Sequence, residues 1–264
     1  MIYYTEAAFD KLDTNPFGEA SYDESWILLR LTDQGDFYST TGNGGHRLFQ
    51  FVLNKKSPHW QYHFMDFIEY ESRLGKNIIV AADKDDVEKA KKVYSGHSID
   101  DKYLREYEKP FLVHSTDSES YKKIVKCGCL KSWNLLKSEI SVGESEPIGK
   151  LLGDPEDYSD YIMFSDGGYF NELVVMSKQK GEISCDVNAE YRAGARMYFG
   201  AAKIAADGLL LRDGAHLKVQ RVLSLEKYLV WTATPKILGI SEITTPREFG
   251  EKADNSFFEF IKRT

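Results

Sequence analysis

The chain has 264 residues, of which 42% are hydrophobic and 28% are charged, and it contains only seven prolines. This composition excludes a disordered protein, and the length allows one large domain or two small ones. The net charge of −7 gives no support to nonspecific wrapping of nucleic acid, which usually requires a basic chain.

Neither a membrane segment nor a secretory signal is expected. The sequence has no apolar run of roughly 18 residues, and its N-terminus lacks a basic region followed by an apolar stretch. The cysteines are Cys127, Cys129 and Cys185, and a small odd number is typical of a reducing compartment. We therefore expect a cytoplasmic protein. The pair Cys127 and Cys129 supplies too few ligands for zinc, so no metal is expected.

The first part of the chain alternates strand-like and helix-like segments. Short apolar runs predict strands, and apolar residues at helical spacing predict helices. Asp83 is a suitable N-cap for the second helix. The predicted strands are 26–31, 48–53 and 77–82, and the predicted helices are 63–74 and 84 to about 94.

Two patterns in this part resemble ligand sites but are better explained without a ligand. The glycine-rich segment 42–45 lacks the lysine and hydroxyl residue of a phosphate-binding loop, so we interpret it as a hairpin connection. His46, His59 and His63 are close in sequence, but no glutamate follows His59 in the metalloprotease pattern. We interpret them as ordinary surface or core histidines.

A polar and charged segment, 96–109, predicts the domain boundary. It divides the chain into a small α/β domain of unassigned role, 1–108, and a second domain, 109–264. Many short strands with few helices predict a split, curved β core, so the fold class is α/β of the α+β kind. The predicted elements are strands 110–113, 161–164, 173–177, 183–187, 196–199, 208–211 and 228–231, a helix at 118–126, and a hairpin turn at 178–181.

Three patches occur in the second domain in a fixed order. Residues 111–116 read Phe-Leu-Val-His-Ser-Thr, residues 161–166 read Tyr-Ile-Met-Phe-Ser-Asp, and residues 226–231 read Glu-Lys-Tyr-Leu-Val-Trp. The first resembles the strand and His-Gly-Thr motif of the ADP-ribosyltransferase superfamily, with Ser115 in place of the glycine. The second and third are similar to the Gly-Ile-Tyr-Phe-Ala-Asp and Asn-Glu-Tyr-Ile-Val-Tyr strands of its poly(ADP-ribose) polymerase branch. Tyr169 is the nearest candidate for the family's central tyrosine.

The resemblance implies that NAD is the co-substrate. Cleavage of the nicotinamide bond passes through an oxocarbenium-like sugar, which a carboxylate stabilises. Glu226 is favoured for this role because it lies late in the chain, and Glu172 competes because it too is expected at a strand start. The implied catalytic residues are Glu226, His114 and Glu172. The implied NAD-binding residues are His114, Ser115 and Thr116 for the ribose, Tyr161, Phe164 or Tyr169 for the nicotinamide ring, and Arg196.

A locally basic set occurs between the second and third patches. Such residues can hold a pyrophosphate or a nucleic-acid backbone, although ordinary surface charge on hairpins explains them slightly better. The set comprises Arg192, Arg196, Arg212, His216 and Lys218.

The resemblance implies a transferase of the glycosyltransferase class that modifies nucleic acid or protein. A toxin or an effector of phage defence or counter-defence fits this activity. The alternatives are an RNA 2′-phosphotransferase-like enzyme, a noncatalytic nucleotide- or partner-binding module on the same fold, and a structural or immunity protein with no ligand.

Overall fold

The computed structural model describes residues 1–18, 20–35, 38–41, 48–139, 147–152 and 154–263, so the predicted glycine loop at 42–45 and His46 lie outside the described residues. Helices and strands are mixed, which confirms the predicted α/β class. The chain forms two compact units. Unit 1 comprises Met1–Asp101, Leu152–Glu156 and Leu211–His216, and unit 2 comprises Lys102–Leu151, Asp157–Leu210 and Leu217–Thr264. Each unit is therefore assembled from three separate segments, whereas the sequence-based division at residue 109 treats each domain as one stretch.

Unit 1 is built around a five-stranded sheet with the strand order β1-β5-β2-β4-β3. All neighbouring strands are parallel except β3, which pairs antiparallel with β4. Helix α1 connects β4 to β5, as parallel strands require. The elements are β1 (Ile2–Thr5), β2 (Trp26–Thr32), β3 (Tyr38–Thr41), β4 (Phe49–Asn54), α1 (Trp60–Arg73), β5 (Asn77–Ala81) and α2 (Lys84–Tyr94).

The central strands of unit 1 are apolar because both faces of the sheet are covered. Leu28 and Leu29 point to opposite faces of β2, and both are fully buried. Leu29 packs in a core with α1 and α2, and Leu28 packs with aromatic residues of the N-terminal segment. The predicted strands and helices of this part are thus confirmed. Asp83 does occupy the N-cap of α2, but its side chain makes no capping bond and lies 3.3 Å from Lys55 Nζ instead.

A late segment of the chain completes unit 1. Nδ1 of His63 in α1 lies 2.8 Å from the carbonyl oxygen of Gly214 in this segment. His59 precedes α1, so it does not share a helix face with His63. A Cβ at position 214 would lie 2.5 Å from the His63 carbonyl oxygen, and φ is +87°, so only glycine fits this approach.

Unit 2 contains several small sheets rather than one large one. The central sheet has the order β14-β10-β6, with both pairings antiparallel. A bridge between Val113 and Ser165 joins β6 to the end of β8, and β8 pairs antiparallel with β12. Two further pairs are β13 with β7 and β15 with β9. The strands are β6 (Phe111–Thr116), β7 (Cys129–Lys131), β8 (Tyr161–Phe164), β9 (Tyr191–Arg192), β10 (Ala195–Gly200), β11 (Leu210–Arg212), β12 (Leu217–Gln220), β13 (Val222–Ser224), β14 (Leu229–Ala233) and β15 (Ile243–Thr244); the chain passes from unit 2 to unit 1 within β11.

Helices cover one face of the central sheet. Helix α9 packs Ala253 and Phe257 against Val113 of β6 and its register partner Tyr198 of β10, which lie on that face. The opposite face carries Leu112, Met197 and Phe199 into a second core that includes β8 and β12. The helices are α3 (Ser118–Cys127), α4 (Trp133–Glu139), α5 (Phe170–Lys180), α6 (Ala201–Ala206), α7 (Leu225–Tyr228), α8 (Pro235–Leu238) and α9 (Pro246–Arg263), with 3₁₀ turns at Ile148–Leu152 and Glu156–Asp160.

The sequence-based elements differ from the structure around residue 175. The predicted strand at 173–177 and the predicted hairpin at 178–181 are one helix, α5, and the predicted strand at 183–187 is irregular. The run Leu-Val-Val-Met favours a strand by composition, but burial of Glu172, Val175 and Met176 follows helical spacing. Among the described residues, no helix is both long and apolar enough to cross a membrane.

Candidate functional site

The predicted site residues of strand β6 lie on both of its faces. Successive side chains of a strand point in opposite directions. His114 lies on the face of Leu112, toward β8, whereas Ser115 lies on the face of Val113, toward α5 and α9. The predicted residues therefore form two groups and do not gather in one place.

His114 is half-buried, and its ring is fixed by two contacts with β8. Its Nδ1 lies 3.2 Å from the carbonyl oxygen of Met163, and its ring packs against the ring of Phe164 at 6.0 Å and 62°. A carbonyl only accepts, so Nδ1 must carry the hydrogen, and Nε2 of the neutral ring is an acceptor. Nε2 has no hydrogen-bond partner among the described residues. Burial lowers the pKa of His114, although the Met163 carbonyl partly opposes this, so the neutral form is favoured.

On the other face, Ser115 belongs to a buried polar chain. Its hydroxyl donates to Glu172 Oε1 at 2.5 Å, and Glu172 Oε2 accepts from Arg196 Nη1 at 2.7 Å. The side chains of Glu172 and Arg196 are both 0% exposed. Glu172 lies in α5 and not at a strand start, which corrects the sequence-based expectation.

Asp254 of α9 completes this chain. It accepts from Arg196 Nη2 and from the Tyr198 hydroxyl, each at 2.7 Å. Arg196 Nε also donates to the Tyr198 oxygen at 2.8 Å. Burial by itself would lower the pKa of Arg196, but the carboxylates, Glu172 foremost, raise it, so Arg196 stays cationic. This cluster of Ser115, Glu172, Arg196, Tyr198 and Asp254 is called the buried ionic cluster below, and it leaves Arg196 no exposed donor for a ligand.

Glu226 is separated from both groups. It lies in the short helix α7, its side chain is exposed, and it makes no hydrogen bond or ion pair with any described residue. Glu226 precedes Leu229, which pairs with Phe199, whereas His114 pairs with Met197. Glu226 thus lies beyond the Phe199 end of β10, and neither predicted catalytic glutamate lies beside His114.

The predicted aromatic residues have distinct surroundings. Tyr161 and Tyr158 flank the ammonium of the buried Lys218, whose Nζ lies 4.5 and 4.6 Å from the two ring centres. Phe164 is buried against His114. Tyr169 precedes α5, where the Arg247 guanidinium lies 6.0 Å from its ring, and it packs against α9 rather than facing β8.

Comparison with protein-family models, curated proteins and solved structures finds no match.

Thr116 ends β6 half-buried beside a constrained glycine. It pairs with Ala195, and a Cβ at position 194 would lie 2.2 Å from the Thr116 carbonyl oxygen. Gly194 is thus required for β10 to approach the end of β6, which fixes the position of the strand that carries His114.

The predicted basic set is not a surface patch. Arg196, Arg212 and Lys218 are buried, so the interpretation of these three as ordinary surface charges on hairpins is wrong. Within unit 1, Arg212 Nη1 donates to the carbonyl oxygens of Ile99 and Asp101 at 3.4 and 3.3 Å. Exposed Arg192 forms an ion pair with Glu242.

Unit 1 has a cavity of about 590 Å³ at the carboxyl ends of β1 and β5. Open α/β sheets commonly bind ligands at this edge. Charges of both signs line it, so it does not specify the charge of a ligand. In the described part of the chain, no group of three or more histidines, cysteines or carboxylates is placed to hold a metal ion. The lining residues are Tyr4, Thr5, Glu6, Ala82, Asp83, Lys84, Val87, Glu88 and Lys91.

Sequence reasoning missed Asp254, the residue that joins α9 to the buried ionic cluster. A signal was present, since Gly250, Ala253, Asp254 and Phe257 follow the spacing of one helix face. A carboxylate on an otherwise apolar stripe predicts a buried cationic partner.

Proposed function

We propose that unit 2 is an ADP-ribosyltransferase-type domain that binds NAD on the His114 face of β6, and that nucleotide binding is the activity its geometry supports best. The observation that carries the proposal is the tautomer of His114. Met163 occupies Nδ1, so Nε2 is an acceptor with no partner among the described residues. A ribose hydroxyl is a donor of the kind this nitrogen accepts.

Two of the three resembling patches support a common site. The first patch is β6 and the second is β8, and the bridge between Val113 and Ser165 brings these strands together. His114 comes from the first patch and Phe164 from the second, and their rings are in contact. The neutral imidazole suits a ribose hydroxyl, and the buried ring of Phe164 helps to hold that imidazole in place.

Transfer to a nucleic-acid or protein acceptor additionally requires a carboxylate. Glu226 is exposed and has no hydrogen-bond or ion-pair partner among the described residues, whereas Glu172 is neutralised by Arg196 within the buried ionic cluster. For a transferase, Glu226 is therefore the carboxylate to expect, with Glu172 in a structural role. An RNA 2′-phosphotransferase would need accessible arginines near His114, and the burial of Arg196 disfavours it.

A second candidate function is noncatalytic binding of a nucleotide. The observation that favours it is the position of Glu226 beyond the Phe199 end of β10, away from His114. The two candidates share the same binding face and differ only in turnover.

The experiment is calorimetric titration of the full chain with NAD, followed by measurement of nicotinamide release. His114→Asn keeps a donor for the Met163 carbonyl but removes Nε2, and His114→Gln places an amide near Nε2 instead. We expect His114→Asn to lose at least tenfold in NAD affinity with little change in melting temperature, and His114→Gln to retain more. Nicotinamide release by the wild type supports an NAD-cleaving enzyme, and binding without release supports the noncatalytic module. Wild-type affinity in folded His114→Asn would refute the site.

A further inference from the structure

Cys127 and Cys129 form a thiol pair at the end of α3. Cys127 is the last residue of the helix, Gly128 is its C-cap, and Cys129 begins β7. The two sulfur atoms lie 2.7 Å apart, and neither is in a disulfide. The third cysteine, Cys185, is exposed elsewhere in unit 2 and is not part of this pair.

The surroundings of the pair favour redox chemistry over metal binding. Cys127 is exposed and Cys129 is partly exposed, so small molecules can reach both. Two thiols fall short of the ligands that zinc requires, and the described residues supply no third metal-binding side chain. A reducing compartment keeps such thiols free until an oxidant arrives.

The two thiols are not equivalent. Burial raises the pKa of Cys129 to about 11, and its contact with Cys127 adds to this effect. Cys127 is the more exposed of the two. Because the thiolate is the attacking species, Cys127 is the sulfur expected to react first, with Cys129 as the resolving thiol.

We propose that Cys127 and Cys129 are a reversible dithiol–disulfide site that reacts with low-molecular-weight disulfides of the glutathione type. The Cys127 thiolate attacks one sulfur of oxidised glutathione and releases one glutathione thiol. The Cys129 thiolate then attacks Cys127 Sγ and releases the second. The two protein thiols become one disulfide, the external disulfide becomes two thiols, and electrons and protons balance. Closure cross-links the turn between α3 and β7, whatever the function of β6 proves to be.

The test uses the full chain, reduced and then equilibrated with defined ratios of reduced and oxidised glutathione. Samples are acid-quenched, alkylated, and analysed by intact mass and by peptide mapping without reduction. Cys185→Ser is the matched control, since it keeps the pair and removes the remaining thiol. Cys127→Ser and Cys129→Ser each leave one member.

The expected result is that wild type and Cys185→Ser both lose two alkylatable thiols to an intrachain link between 127 and 129, which dithiothreitol reverses. Cys129→Ser should instead accumulate a stable glutathione adduct on Cys127, and in Cys127→Ser the less exposed Cys129 should form less of such an adduct. The proposal is overturned if wild type carries separate glutathione adducts on Cys127 and Cys129, if Cys185 is the cross-linked partner, or if both thiols stay alkylatable at every glutathione ratio.

Discussion

Glu172 and Arg196 pair as opposite charges with no exposed surface, their Oε2 and Nη1 atoms 2.7 Å apart. Removing one partner of a buried pair leaves the other charge desolvated and typically costs about 3–5 kcal/mol. Glu172→Gln should therefore lower the free energy of unfolding by about 3 kcal/mol, measured by urea denaturation.

Glu226→Gln is the matched control for this measurement. Its carboxylate is exposed and unpaired among the described residues, so the same change should alter stability by less than about 0.5 kcal/mol. Equal stability of the two variants would mean that the pair of Glu172 and Arg196 contributes nothing in solution.

Turnover provides a second contrast between these glutamates. A carboxylate that stabilises a transition-state cation contributes to rate more than to substrate binding. If wild type releases nicotinamide, Glu226→Gln should bind NAD normally and lose on the order of 100-fold in rate. Glu172→Gln should lose activity only in proportion to its unfolded fraction. A fully folded Glu172→Gln that is inactive, beside an active Glu226→Gln, would reverse the assignment.

The buried setting of His114 predicts an acid-sensitive contribution to stability. Its pKa is lowered in the folded state, so below about pH 6.5 the unfolded chain binds a proton that the folded chain resists. The contribution of neutral His114 is complete above that pH, falls as pH drops, and levels off below the folded pKa. The unfolding free energy of wild type minus that of His114→Asn, measured from pH 8 to pH 5, should become more negative on acidification. A value that becomes more positive instead would show a raised pKa.

Gly194 offers a test of the approach between β10 and β6. A Cβ there would meet the Thr116 carbonyl oxygen at 2.2 Å, whereas one at Gly200 would meet only the Val230 side chain at 3.7 Å. Gly194→Ala should destabilise the protein by about 1–3 kcal/mol, as overpacking does, and Gly200→Ala by less. Thermal unfolding of the two variants measures this difference. Similar melting temperatures would indicate that the end of β6 moves freely.

Local pattern was sufficient for much of the fold. The apolar runs at 26–31 and 161–164 predict strands correctly, and the residues buried in the resulting sheets are Ile27, Leu28, Leu29, Leu31, Ile162 and Phe164. Leu173 and Val174 predict a strand by composition, but they lie in α5 because the packing of this helix on β6 and α9 overrides that preference.

The candidate site was less accessible to sequence reasoning. The sequence predicts His114 as a site residue because it lies at the end of an apolar strand. The carbonyl that orients its ring belongs to Met163 of β8, 49 residues further along the chain. Arg196 was identified as a ligand-binding residue, but its partner Asp254 lies 58 residues further along the chain. The spacing of residues within one helix or strand cannot predict this ion pair, because it forms only when α9 packs on β10. The two-sided arrangement of His114 and Ser115 follows from strand alternation, yet which face a ligand can reach depends on the helices.

The division of unit 1 among three chain segments affects its folding during synthesis and its response to proteolysis. Its last segment, Leu211–His216, supplies the Gly214 carbonyl to His63 and the Arg212 side chain to Ile99. A ribosome releases the chain from the N-terminus, so unit 1 stays incomplete until residue 216 has emerged, when most of unit 2 has already been synthesised. Cleavage at residue 108 would likewise separate the sheet of unit 1 from the other two segments of that unit. Gene dissection at the apparent linker therefore divides a folding unit, and residues 1–216 are the shortest stretch of chain that contains all of unit 1.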